Sequence, residues 1–220
     1  MQPRVLIIGG SLAQPSHTSA LARAIDAPLT ARGAAVERWD LAERSLPIAD
    51  PAYHARPESH PSPIVRELVR LADAADALVL ASPIYHNSYS GLLKNALDLL
   101  AIPQFEGKPV GLASHGGRLP LTHAVDHLRQ VVRGLLAVAI PTQVVTAAQD
   151  YVHSGSRYEL VNQQILERVD RLAGELIWFA ERLAKREAAG QALPVAATGS
   201  SSADSPDGKA REPGSVRNLG

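Results

Sequence analysis

The feature that most constrains the fold of this chain is a series of short, uninterrupted apolar runs. The first covers residues 5–8 and stops at Gly9 and Gly10. Such runs are typical of strands that are buried on both faces, as in a parallel sheet with helices on either side. On this basis we predict five strands, at residues 5–8, 35–39, 77–81, 109–113 and 142–146.

Stretches with helical spacing of apolar residues lie between the predicted strands. We expect helices over residues 18–32, 63–75 and 91–100, and a further helix that ends near Val138. Pro28 should kink or shorten the first of these. A last amphipathic helix is indicated by a seam of Ile165, Val169, Leu172, Leu176, Phe179 and Leu183. Because strand and helix alternate throughout, we predict an α/β fold with a five-stranded, doubly wound parallel sheet and helices on both faces.

The composition changes near residue 188. We assign residues 1–187 to one domain with a substantial core. Residues 188–220 are rich in Ala, Gly, Ser and Pro and almost lack large apolar side chains. Such a segment buries too little surface to offset its ordering entropy, so we expect a disordered tail.

The bulk composition excludes several kinds of function. The 220 residues include 22 basic and 22 acidic side chains, so the net charge favours neither a nucleic acid nor a membrane partner. The absence of cysteine excludes disulfides, thiolate metal sites and a cysteine nucleophile, and we predict no metal site. The start does not resemble a signal peptide, and no run approaches the ~20 apolar residues of a membrane helix. We therefore expect a cytoplasmic protein.

The loop after the first predicted strand suits a phosphate group. Ligands of open parallel sheets bind beyond the carboxyl ends of the strands, and helix N-terminal amides carry partial positive charge. This loop combines small residues, hydroxyls and the start of a helix, and its candidate ligands are Ser11, Ser16, His17, Thr18 and Ser19. The alternative is an ordinary capped turn, in which Ser16 or Thr18 only satisfies backbone donors.

The same loop fails to match three more specific motifs. It lacks the lysine of a P-loop and the third glycine of a dinucleotide fingerprint. Residues 9–13 come within one residue of a nucleophile elbow, but Ala13 replaces the closing glycine. A serine hydrolase built on Ser11 is therefore a disfavoured alternative.

The loops after the third and fourth predicted strands suit a flat heteroaromatic ligand. Aromatic, proline and amide groups offer such a ring an apolar face and polar partners along its edge, and paired glycines let backbone amides come close to it. The candidate residues are Pro83, Ile84, Tyr85, His86, Asn87, Ser114, His115, Gly116 and Gly117. The alternative is a pair of ordinary surface loops.

Three segments together resemble a known family. They are residues 9–11 with 16–21, residues 83–98, and residues 107–110 with 114–117. On these segments the chain is similar, over residues 5–182, to the NAD(P)H-dependent FMN reductases, which are flavodoxin-like proteins. Within that family it resembles the alkanesulfonate-linked FMN reductases.

The resemblance implies hydride transfer from NADPH or NADH to FMN, with no catalytic side chain because the flavin carries the chemistry. It implies that the hydroxyls of the first loop hold the FMN phosphate and that the other two loops line the isoalloxazine ring. It also implies a homodimer or homotetramer that packs through residues 91–100, where apolar side chains cover more than one helix face. A flavin-dependent monooxygenase is the implied partner.

Two departures from the family pattern leave alternatives open. His17 is the single basic candidate in a loop where relatives often carry arginine or lysine, which predicts weaker or pH-sensitive phosphate binding. His127 stands where alkanesulfonate-linked reductases commonly have a tyrosine, so FMN is either a substrate or a tightly held prosthetic group. The second case would be an enzyme that reduces a quinone, an azo dye or a metal oxyanion. A flavodoxin-type electron carrier is disfavoured by the zero net charge.

Overall fold

The computed structural model describes residues 2–119 and 121–188, and side chains up to residue 184. Its strands are Arg4–Gly9 (β1), Ala35–Asp40 (β2), Ala77–Tyr85 (β3), Ser88–Tyr89 (β4), Pro109–His115 (β5), Val138–Thr146 (β6), Tyr151–Ser154 (β7) and Arg157–Leu160 (β8). Its α-helices are His17–Ala31 (α1), Pro63–Ala74 (α2), Gly91–Asp98 (α3), His123–Gly134 (α4) and Gln163–Ala188 (α5). The predicted tail lies outside the described residues, apart from residue 188 at the end of α5.

The central sheet confirms the predicted fold class. Its five parallel strands lie in the order β2-β1-β3-β5-β6, and β4 pairs antiparallel with the end of β3. Counting the parallel strands alone, this is the 2-1-3-4-5 order of flavodoxin-like proteins, which reverses its winding direction between β1 and β3. Ligands bind such sheets at the carboxyl ends of the strands beside that switch point.

Both faces of the sheet are buried, as the uninterrupted apolar runs predicted. Leu6 and Ile8 of β1 join a core formed with α2, α3 and α4. Val5 and Ile7, which point to the opposite face, join a second core formed with α1 and α5. No helix within residues 2–119 and 121–188 has the length and apolar character needed to cross a membrane.

The predicted end of the fourth helix was wrong. The helix expected to end near Val138 ends at Gly134, because Leu136 adopts a left-handed φ of 59° and Val138 opens β6. The amide of Ala137 then donates to the carbonyl of Val132 at 3.0 Å, which closes the helix end. Pro28 was expected to kink or shorten the first helix. The helix α1 continues past Pro28 to Ala31, one residue short of the predicted end.

The apolar side chains of α3 pack into a core of the chain itself. Leu93, Ala96 and Leu97 are buried, Leu99 and Leu100 follow them into the same core, and Leu92 packs against it. The physical reason for expecting a subunit contact at residues 91–100 therefore does not hold, and that expectation keeps only the family resemblance as support.

Candidate functional site

The three predicted loops lie at one edge of the sheet, because β1, β3 and β5 are adjacent parallel strands. The first two loops are also bonded directly to each other. The amide of Gly10 donates to the carbonyl of Ala81 at 2.8 Å, and the buried hydroxyl of Ser90 donates to the carbonyl of Gly10 at 2.6 Å. All fourteen candidate residues therefore belong to one contiguous region at the switch point.

Three hydroxyls of the first loop make hydrogen bonds within the chain. Ser16 caps α1 by accepting from the amide of Ser19 at 3.2 Å, and Ser11 accepts from the amide of Ala13 at 3.2 Å. The hydroxyl of Ser19 donates to Asp40 at 2.5 Å, and Thr18 is buried. Ser16 therefore caps the helix, as in an ordinary capped turn, but the Ser11 and Ser16 hydroxyls act only as acceptors in these bonds. Each keeps a proton that an anion could accept beside the backbone amides, so both interpretations stay open.

His17 is enclosed by aromatic rings. Its imidazole stacks on His115, with ring centroids 4.2 Å apart, and on Tyr158, with centroids 3.6 Å apart. The ring of Tyr151 meets it edge-on. Burial lowers the pKa of His17 below its ordinary value, so the imidazole is mostly neutral at pH 7. The sequence predicted weaker or pH-sensitive phosphate binding because His17 is the single basic candidate of the loop; that stays a prediction, and the lowered pKa agrees with a small contribution of charge from His17.

Part of the second predicted loop is a β-hairpin. Pro83, Ile84 and Tyr85 complete β3, and Tyr85 pairs with Ser88 across a two-residue turn. The turn residues His86 and Asn87 have left-handed φ values of 49° and 63°, the combination that a type I′ turn requires.

The hairpin is attached to α4 through its second strand. The hydroxyl of Ser88 lies 2.9 Å from Nδ1 of His127. His127 is exposed on α4, and this contact joins it to the hairpin. The sequence does contain a signal for the turn, because asparagine and histidine are among the non-glycine residues that adopt a left-handed φ most readily.

The third loop combines a buried hydroxyl without a partner and a neutral histidine. The Ser114 hydroxyl is fully buried and has no hydrogen-bond partner among the described residues. Nδ1 of His115 lies 3.2 Å from the Thr146 hydroxyl, which also accepts a hydrogen bond from the Tyr151 hydroxyl at 2.9 Å. Burial, helped by the neighbouring His17, lowers the pKa of His115 to about 4. His115 is therefore neutral at pH 7.

The turn after His115 requires glycine at both positions. A side chain on Gly116 would collide with the backbone carbonyl of Leu119, where the chain folds back. Gly117 has a left-handed φ of 67°. These two glycines expose backbone at the sheet edge, as expected of a turn that lets a ligand approach closely.

One large apolar side chain from each loop is exposed at this edge. Leu12, Tyr85 and Leu119 are 56%, 52% and 61% exposed, respectively. A single exposed leucine means little, but three apolar side chains on adjacent loops offer a rim for a flat ligand.

A second hairpin, which was not predicted, reaches the same region. β7 and β8 form an antiparallel pair that packs on α1, and a guanidinium nitrogen of Arg23 donates to the carbonyl of Tyr158 at 3.2 Å. This hairpin contributes Tyr151 and Tyr158 to the stack around His17. Alternating residues on both sides of Gly155 could have indicated it.

Comparison with known proteins places the chain in a family. The family model for NADPH-dependent FMN reductases matches residues 3–151. The chain belongs to this family. An FMN-dependent NADPH-azoreductase from Staphylococcus aureus is 41% identical over 155 residues, which cover 70% of this chain and 82% of that protein. The family name confirms the resemblance drawn from the loops and makes the chain an oxidoreductase that depends on FMN and a nicotinamide nucleotide.

Solved structures agree with this assignment. An oxidoreductase from Corynebacterium diphtheriae superimposes with a TM-score of 0.62 at 25% identity, covering 82% of this chain and 98% of that one. An NADH:FMN oxidoreductase in its apo form superimposes with a TM-score of 0.55 at 25% identity, covering 82% of this chain and 90% of that one.

The residues at the sheet edge fit FMN. A phosphate suits the helix N-terminus of the first loop, and an uncharged ring system suits the exposed apolar side chains and the neutral histidine. The Ser114 hydroxyl is a polar atom that lacks a partner among the described residues, as expected where a ligand group completes the hydrogen bonding.

Proposed function

We propose that this chain binds FMN across the three loops and transfers a hydride from NADPH or NADH to it. The observation that carries the proposal is the convergence of these loops beside the switch point of the sheet, with an apolar rim and a buried hydroxyl that lacks a partner among the described residues. The family assignment supports the hydride transfer, and the position of the loops supports this edge of the sheet as the FMN-binding site.

The roles of individual residues follow from their positions. The amides of the first loop, around Ser11, Ser16, Thr18 and Ser19, would receive the phosphate. Pro83, Ile84, Tyr85, His86 and Asn87 would lie along one side of the ring system, and Ser114, His115, Gly116 and Gly117 along another. His17 would act by packing against His115 rather than by charge.

Bound flavin supplies the acceptor for the hydride, so the protein's contribution is mainly positional. The left-handed turn at His86 and Asn87 and the tight turn at Gly116 hold the loops in fixed conformations. Because His115 is neutral at pH 7, it does not place a full positive charge at the sheet edge, and it remains able to donate or accept a hydrogen bond there.

A second candidate keeps FMN as a prosthetic group and passes electrons to an azo compound, a quinone or a metal oxyanion. The azoreductase from Staphylococcus aureus favours the azo acceptor, since it is 41% identical to this chain. In the first candidate, reduced FMN leaves the protein and a flavin-dependent monooxygenase would consume it.

The first experiment measures bound flavin and NADPH oxidation in the purified protein, with and without added FMN. A colourless protein that oxidises NADPH only when FMN is supplied supports flavin as substrate. A yellow protein that reduces an azo dye without added flavin supports the prosthetic role. Absence of any flavin-dependent NADPH oxidation would refute both.

A variant pair tests the location of the site. Tyr85→Ala should weaken FMN binding about tenfold, because it removes an exposed aromatic face at the sheet edge. Trp178→Ala is the matched control, since Trp178 is 48% exposed but lies on α5 outside the three loops. Equal effects of the two substitutions would contradict the proposed location.

Assembly and cellular location belong to the same proposal. A homodimer or homotetramer is proposed on the family resemblance, and light scattering during gel filtration tests it. A cytoplasmic location is proposed because the chain lacks cysteine and uses a nicotinamide nucleotide, and cell fractionation tests it.

A further inference from the structure

The cleft beside the first loop contains two arginines that the sequence pattern did not indicate. Ser16, Ser19 and Arg23 are spaced by three and four residues along the start of α1, so they share one helix face. All three line a cleft of about 370 Å³, together with residues of the first loop. Arg157, at the start of β8, lines the same cleft.

Arg23 has no acidic partner of its own. Its guanidinium donates to the backbone carbonyl of Tyr158, and no carboxylate lies within ion-pair distance of it among the described residues. Burial and the nearby positive charges of Arg157 and Arg38 lower its pKa, although an arginine stays protonated at neutral pH. A guanidinium held beside like charges is an unfavourable arrangement that a bound anion would relieve.

Arg157 is free to turn toward such an anion. It pairs with Glu159 at 3.0 Å, and both side chains are well exposed. An exposed pair of this kind contributes little stability, so its loss costs little when a stronger partner binds. Arginine also suits a phosphate geometrically, because its planar guanidinium can donate two parallel hydrogen bonds.

The other wall of the cleft is acidic. Asp40 and Glu43 line it, and Asp40 already accepts hydrogen bonds from the Ser19 hydroxyl and from the amide of Ala42. The charge of Asp40 also acts on Arg23 without forming an ion pair, and it offsets part of the repulsion there. Carboxylates accept hydrogen bonds from sugar hydroxyls. The two walls together therefore suit a phosphorylated sugar, with its phosphate on the arginine side and its hydroxyls on the acidic side.

We propose that Arg23 and Arg157 form a phosphomonoester subsite beside the first loop, and that they supply the positive charge His17 does not provide. The ligand is the phosphate of FMN or the 2′-phosphate of NADPH, which share this chemistry. The inference rests on the proposed function, because it assigns ligands of that reaction to the cleft.

The test compares ligands that differ only by a phosphate. Arg23→Gln and Arg157→Gln are prepared in the full chain, with Arg70→Gln as control because it removes the same charge from an exposed position on α2. Fluorescence quenching gives the dissociation constants of FMN and riboflavin. Titration with NADPH and NADH gives the second pair of constants. Circular dichroism checks that each variant is folded.

Either of two outcomes supports the subsite. Loss of about tenfold in FMN affinity with riboflavin unchanged assigns the FMN phosphate. An unchanged FMN affinity with a similar loss for NADPH but not for NADH assigns the 2′-phosphate. If both variants match Arg70→Gln with all four ligands, the proposal is overturned.

The subsite and the proposed function fail in different ways. A wild-type protein that binds no flavin would refute the proposed function, and the comparison of NADPH with NADH would still decide the role of the arginines. If Arg23→Gln does not fold, Arg157→Gln carries the test, because that side chain is exposed and its substitution removes little packing.

Discussion

Replacing His115 should remove much of the acid sensitivity of this protein. In the folded chain burial lowers the pKa of His115 to about 4, from 6.5 for an ordinary histidine. The unfolded chain therefore binds a proton at a higher pH than the folded chain does. Stability from this group is complete above about pH 6.5 and is lost as the pH falls from there toward about 4.

The size of the effect follows from the two pKa values. A difference of about 2.5 units corresponds to roughly 3 kcal/mol when the loss is complete, at about 1.4 kcal/mol per unit. At pH 5 the loss from this one group is about 2 kcal/mol relative to pH 8. His17 changes in the same direction, because burial also lowers its pKa.

The assay is urea unfolding of the wild type and His115→Asn between pH 8 and pH 5. Asparagine keeps a polar group near the Thr146 hydroxyl but does not titrate. The wild type should lose about 2 kcal/mol more than the variant over this range. Histidines that do not contact His115 are common to both proteins and cancel; His17, which stacks on His115, is the exception. Identical pH dependence in the two proteins would refute the assignment of His115 as buried and neutral.

Three further substitutions test the loops by their effect on the free energy of unfolding, measured with urea. Ser90→Ala should cost about 1–3 kcal/mol, because the hydroxyl caps α3 through the amide of Leu93 and donates to the carbonyl of Gly10; a smaller loss would argue against that bond network. Ser114→Ala should be neutral or stabilising without ligand, since it removes a buried hydroxyl that has no partner among the described residues, and should weaken FMN binding; a loss above about 1 kcal/mol would mean that the hydroxyl is bonded. Asn87→Gly should stabilise the hairpin by up to about 1 kcal/mol, because glycine adopts its left-handed φ without strain, and a destabilised protein would contradict the turn.

The sequence predicted those parts of the fold that depend on local pattern. The uninterrupted apolar run at residues 5–8 indicated a strand buried on both faces, and β1 lies between two cores. The end of α4 could not be predicted in this way, because it depends on a left-handed φ at Leu136, a residue type that rarely adopts one. Tertiary contacts stabilise that conformation, and local sequence gives no sign of it.

The candidate site was predicted in position but not in its hydrogen bonding and charge. Parallel strands bring their carboxyl ends to one edge, so naming the right strands was enough to bring the three loops together. The ring of His17 stacks on Tyr158, which lies far away in sequence on a hairpin that was not predicted. Long-range packing of this kind has no local signature, so the sequence could not indicate that His17 stacks on two other rings.

The hairpin formed by β7 and β8 lies at the end of the family match. The family model ends at residue 151, where β7 begins, so the hairpin that carries Arg157 and Tyr158 lies almost wholly beyond it. The loops expected to bind flavin all lie within the matched part. Features shared with the family are therefore expected at the sheet edge, and the proposed phosphate subsite takes one of its two arginines from the hairpin. Substitution of Arg157 on β8 is expected to change affinity for phosphate-bearing ligands while leaving the two cores of the sheet intact, because this side chain is exposed. Tyr151 and Leu160 of the same hairpin are unsuitable for this test, since Tyr151 is buried and Leu160 packs against one of the cores.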